Sequence, residues 1–110
     1  MNNIIINNIF NHSNIIAISN NEFFENLINN NSFRIERIVS SGQHTPEGIW
    51  LEEDTNEFVL LIEGASIIRF FEDNSTIALH SGDWFIIPKN TKHRVEHTER
   101  FTYWLTIHYE

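Results

Sequence analysis

The sequence contains no cysteine. Disulfides and thiolate metal ligands are therefore excluded; stability must come from packing, and any metal must be held by histidine, aspartate or glutamate. Basic residues are scarce as well: seven Lys plus Arg stand against fifteen Asp plus Glu, a formal charge of −8. Such a field repels phosphate backbones and anionic headgroups, which argues against nucleic acid and membrane surfaces as partners. No apolar run approaches the roughly 20 residues that cross a bilayer. The start, Met1 to Phe10, lacks the basic and apolar regions of a signal peptide, so a cytoplasmic setting is expected. Also missing are a Gly-rich phosphate loop, a Gly-x-Ser-x-Gly elbow, a His-Glu-x-x-His helix and a Cys-x-x-Cys pair. Nucleotide hydrolysis, serine hydrolysis, zincin proteolysis and dithiol redox chemistry thus lack a signature.

What is present is enough for one packed domain. The chain has 110 residues, 41% hydrophobic and 13% aromatic, within the usual single-domain size of about 100–150 residues. Composition changes once, near Phe33. Twelve of the first 31 residues are Asn, and all seven basic residues lie at Arg34 or later. Two regions follow: an Asn-rich segment over 1–32 and a barrel over 33–110. The Asn count itself reads most simply as nucleotide bias in the host. Ile4 to Ile6, Ile15, Ile16 and Ile18 interrupt the Asn residues with apolar groups, so part of the segment is expected to pack on the domain. Ser19 or Asn20 can cap a short N-terminal helix over Glu22 to Ile28, with Phe23, Phe24, Leu27 and Ile28 on one side, ended by the Asn run at 29–31.

From Arg34 onward short apolar runs alternate with turn signals, the pattern of a sandwich or barrel. Eight strands are expected: Arg34–Ser40, Gly48–Glu53, Glu57–Ile62, Ala65–Phe71, Thr76–Leu79, Trp84–Ile87, His93–His97 and Phe101–Tyr109. Alternation along the seventh places His93, Val95 and His97 on one face. Gly64 and Gly82 suit turns that need positive φ or close backbone approach. Pro88 ends a ladder because it has no N–H to donate.

The stretch Glu57-Phe58-Val59-Leu60-Leu61-Ile62-Glu63-Gly64 resembles the end of the first cupin motif, a Glu, six residues and a Gly. Gly82 to Pro88, followed five positions later by His93, is similar to the second cupin motif. The resemblance covers about residues 34–109. It implies an all-β fold, a double-stranded β-helix or jelly-roll barrel, whose interior forms a polar pocket. It also implies a ligand set of two His separated by one residue, a Glu, and the second-motif His. On this sequence the first two positions fall on Trp50 and Glu52, and the other two on Glu57 and His93. Asn90 stands where the family usually has Gly, and His97 where it usually has Asn.

The metal site implied by the resemblance is therefore Glu57 and His93, helped by Glu52 or His97, holding a divalent Zn, Mn, Fe or Ni ion. Trp50 is expected to narrow the pocket and offer a stacking face or one N–H donor, with His44 at the mouth. His108 on the last strand is undecided. Two functions stay open: a metal-dependent enzyme acting on a small molecule, and a metal-free module that binds or senses a ligand around Trp50. A third places the function in the oligomer. The resemblance also implies a homodimer paired at the barrel edge.

Overall fold

The computed structural model describes residues 3–11 and 22–110. Eight strands follow one another: β1 (Phe23–Asn29), β2 (Phe33–Ser41), β3 (Asn56–Glu63), β4 (Ala65–Phe70), β5 (Thr76–His80), β6 (Trp84–Ile87), β7 (His93–Thr98) and β8 (Arg100–Tyr109). All strand pairs are antiparallel. They build a five-stranded sheet in the order β1-β2-β8-β3-β6 and a three-stranded sheet in the order β5-β4-β7. This is the expected all-β double-stranded β-helix.

Alternation along each strand sets the interior. On β8, Trp104, Thr106 and His108 turn inward; on β3, Glu57 and Val59 do. The buried core joins both sheets through Val59, Leu61, Ile68, Leu79, Ile87 and Trp104. Leu61 and Leu79 sit in the closed part of the barrel, whereas Val59, Ile68, Ile87 and Trp104 also form the wall of an open cavity.

Gly64 makes the one-residue step from β3 to β4 with φ at 119°. A Cβ there would lie 2.4 Å from Thr102 Oγ1 and 2.8 Å from Thr102 Cα, so both its backbone angle and its neighbour demand glycine. Asn90, standing where the family has Gly, has φ at 62°. Asn is among the few non-glycine residues that adopt this left-handed conformation routinely, so the departure keeps the turn intact. The Asn90 amide donates to the Glu53 carbonyl at 2.7 Å, tying the loop before β3 to the turn before β7.

Two expected elements differ. The Glu22–Ile28 helix is instead strand β1, paired with β2 from Phe23↔Val39 to Asn29↔Arg34. Seven residues are too few for a helix stable on its own, and the edge of β2 satisfies the backbone instead. Ser19 and Asn20, the proposed caps, lie outside the described residues. The sheet therefore runs across position 33, with β1 and β2 side by side. Gly48–Glu53 forms no strand; it contributes a single bridge, Leu51↔His93. The Ile49 amide bonds back to the Pro46 carbonyl at 3.1 Å and Gly48 has φ at 81°, so this stretch is spent on a turn.

Residues 8–11 lie against the outside of the five-stranded sheet. Arg37, whose side chain is only 6% exposed, pairs with Glu25 at 3.0 Å. Its Nη1 donates to the carbonyls of Ile9 at 3.1 Å and Asn11 at 2.7 Å. Phe10 meets Tyr103 edge to face, with centroids 5.1 Å apart. Hydrogen bonds from a charged donor contribute about 1.5–3 kcal/mol each. Arg37→Met, which keeps the apolar stem, is expected to cost about 2 kcal/mol in urea unfolding and to expose the chain around residue 11 to limited proteolysis. Unchanged protection would show that contacts other than Arg37, such as Phe10 on Tyr103, hold the segment.

Candidate functional site

The open end of the barrel is a cavity of about 430 Å³, within the usual range for small-molecule sites. Its floor is polar. Glu36 comes from β2, Glu57 from β3 and His108 from β8, and the pairings Arg34↔His108 and Glu57↔His108 bring the three strands into register. His108 Nε2 lies 3.2 Å from Glu36 Oε1 and 3.8 Å from Glu57 Oε2. Two carboxylates facing one ring nitrogen place the proton of the neutral ring there, donated to Glu36. His108 Nδ1 is then an acceptor, buried and without a hydrogen-bond partner among the described residues.

The electrostatics follow from crowding. Burial, then the charges of Glu53 and Glu36, push the Glu57 carboxyl up to about 7, against a smaller opposing pull from Arg34. Burial, helped by Arg34, holds His108 below its ordinary value even though Glu36 acts the other way. Near neutrality Glu57 is thus divided between its acid and its carboxylate, and His108 is neutral. Burial also raises Glu22, opposed by its bond from Ser40. Ser40 in turn accepts from Trp104 Nε1 at 3.2 Å, a string that orients both cavity-lining side chains.

Of the residues expected from the sequence, Trp50, Glu52, Glu57 and His93 line this cavity. Trp50 packs edge to face on Phe71 at 5.1 Å and lies under the Arg94 guanidinium at 5.8 Å. Arg94 also bonds the carbonyls of Thr45, Pro46 and Ile49, so one side chain fixes the loop that carries the indole. Glu52 is an exposed rim residue. His93 is buried, and its Nδ1 sits 2.9 Å from the Thr91 carbonyl, a contact that orients the ring.

Two residues fall elsewhere. His97 does not share a face with His93. The β4–β7 ladder slips between Ile67↔His97 and Ile68↔Val95; the extra residue, Glu96, breaks the alternation. His97 is 55% exposed and lies 3.4 Å from Glu99. His44 lies in a separate shallow depression with Glu47, Arg69, Arg94 and Glu96, bordering Trp50 from outside the barrel. Glu36 and His108, in contrast, were not singled out by any motif. His108 offered one signal, its place in the apolar alternation of the last strand.

Among the described residues no three His, Asp or Glu side chains are grouped to hold a metal ion. The ligand set implied by the family is reduced to Glu57 and His93, with Trp50 in one ligand position, an exposed Glu52 in another, and His97 turned outward. His108, another histidine of the lining, has its Nε2 committed to Glu36 at 3.2 Å. These residues do not fit a metal centre.

Among the described residues no helix is long and apolar enough to cross a membrane. No family model matches the sequence, and no curated protein matches it. Solved structures do. A Ralstonia eutropha JMP134 protein, provisionally assigned as a mannose-6-phosphate isomerase, is 30% identical with a TM-score of 0.86, over 96% of this chain and 97% of that one. A cupin superfamily protein from Desulfitobacterium hafniense DCB-2 is 19% identical with a TM-score of 0.73, over 88% and 84%. An RmlC-like cupin with a double-stranded β-helix fold from Methanocaldococcus jannaschii is 17% identical with a TM-score of 0.67, over 84% and 83%. The two motifs, the eight-stranded barrel and these likenesses agree, and the chain belongs to the cupin superfamily.

Proposed function

We propose that this cupin binds a small organic molecule in the barrel cavity without a metal, and that Glu57 exchanges a proton with it. The observation that carries the reading is the Glu57 carboxyl, 15% exposed, beside His108 and held near 7. A group with that affinity can give and take a proton at neutral pH with little driving force lost, which suits general acid–base work. The Trp50, Phe85 and Trp104 side chains supply the apolar wall.

The provisional name of the Ralstonia relative points to an isomerase, a reaction class in which such a carboxyl moves a proton between carbons. Its sugar phosphate does not transfer with it. Among the described residues no Lys or Arg lines the cavity, and a buried phosphate needs cationic partners. The expected homodimer belongs to the same proposal. Edge strand β6 presents an exposed Trp84, stacked on Phe58 at 5.4 Å, and Ile86; light scattering after gel filtration checks it.

The test is a small-molecule panel read by tryptophan fluorescence on chelator-treated protein. Ligands should bind with a pH midpoint near 7 that Glu57→Gln abolishes, and Val59→Phe, which fills the cavity, should remove binding. Binding indifferent to both changes, or appearing only with added metal, would overturn the reading.

A further inference from the structure

The cavity is rich in acceptors and poor in donors. Among the described residues five glutamates line it, Glu22, Glu36, Glu52, Glu53 and Glu57, and no lysine or arginine does. The described histidines of the lining each have one nitrogen committed, His93 Nδ1 to the Thr91 carbonyl and His108 Nε2 to Glu36. The remaining nitrogen of His108 is buried with no partner among the described residues. Trp104 Nε1 and the Thr106 hydroxyl, two donors of the lining, already point at Ser40 and Glu36. The charge balance agrees. Arg34 stands behind Glu36 at 3.8 Å and Arg94 over the Trp50 ring at 5.8 Å, both outside the lining.

A ligand that complements this surface brings N–H donors and positive charge on an apolar body. An ammonium has three donors and no acceptor, and aromatic faces attract cations; Phe24, Trp50, Phe85 and Trp104 provide such faces. Resting on the cavity reading above, we infer that the barrel selects a protonated amine carried on an aromatic or aliphatic group, and rejects carboxylates and phosphates. Ammonium at the floor would meet Glu57 and Glu36, and the apolar body would lie against Trp50 and Phe85. Glu52 and Glu53 at the rim draw cations in and repel anions.

Four probes separate charge from shape: 2-phenylethylamine, 2-phenylethanol and phenylacetate, which are similar in size, and the larger mannose 6-phosphate. Binding is measured by tryptophan fluorescence and calorimetry at pH 8 in EDTA, so that Glu57 is ionised and no metal bridges the ligand. The amine should bind about tenfold tighter than the alcohol, as one charge-assisted hydrogen bond allows, and the two anions should not bind. Glu57→Gln should bring the amine down to the affinity that the alcohol shows for the same variant; Glu36→Gln should act in the same direction. Equal binding of amine and alcohol would overturn the charge selection and leave the cavity reading standing. Binding of either anion in preference to the amine would do the same. Failure of all four would overturn both.

Discussion

At pH 8, Glu57→Gln is expected to melt several degrees above the wild-type protein, although it removes the group on which the proposed activity depends. The raised carboxyl binds its proton more tightly folded than unfolded. Its favourable contribution is therefore complete below the ordinary value of 4.5 and is lost as pH rises through about 7. A displacement of that size corresponds to about 3 kcal/mol, of which glutamine recovers the part not offset by its own desolvation, about 1–3 kcal/mol. For a domain of this length that is about 4 °C or more per kcal/mol. Glu22, raised in the same direction, leaves a smaller slope of the same sign in the variant. His108, displaced downward, works oppositely: its contribution is lost as pH falls through its ordinary range. Melting curves at pH 5 and pH 8 check this. The two proteins should converge at pH 5, and a variant less stable at pH 8 would show that the carboxylate is not destabilising. Stability gained at the expense of function is a signature of a site residue.

Gly64→Ala should cost more than any other single methyl added to the barrel. The backbone at φ 119° is strained for a side chain, and the new Cβ would fall within 2.8 Å of Thr102 Cα and Cβ. Because the obstruction is partly the backbone of β8, no rotamer change relieves it. Strain and overpacking together come to about 3–5 kcal/mol, a large part of the typical 5–15 kcal/mol stability of a domain. Gly82→Ala is the control. Its φ of 90° is also unfavourable, yet nothing lies within 4 Å of the added carbon, so about 1 kcal/mol is expected. Denaturant midpoints for both, and for Gly64→Ala combined with Thr102→Ala, decide the matter. Full rescue by the double change would mean that the Thr102 side chain beyond Cβ, and not the β8 backbone, is in the way.

The fold was legible because its signals are local. Glu57 to Gly64 and Gly82 to Pro88 carry strand, turn and spacing within a few residues, and seven of the expected strands lie within β2 to β8 or overlap them closely. The site was legible in part. Trp50, Glu52, Glu57 and His93 were placed by spacing and do line the cavity. Glu36 and His108 meet only through β2–β8 pairing between residues 72 positions apart, which no local pattern encodes. His97 went astray because a bulge at Glu96 leaves no mark in the alternation of charged and apolar residues around it. The β1 stretch misled for another reason: apolar residues at 23, 24, 27 and 28 fit one side of a helix, and the free edge of β2, a tertiary partner, decided between the two.

The attachment of the first residues bears on how this sequence can change. Arg37 reads peptide oxygens at positions 8, 9 and 11, and peptide oxygens are common to every amino acid. The anchor is therefore blind to side-chain identity at those sites, whereas Phe10 is held by its ring against Tyr103. Codon drift toward asparagine can then run through this stretch at little cost to the fold, and a single arginine in the barrel wall bears the selection that the segment itself escapes.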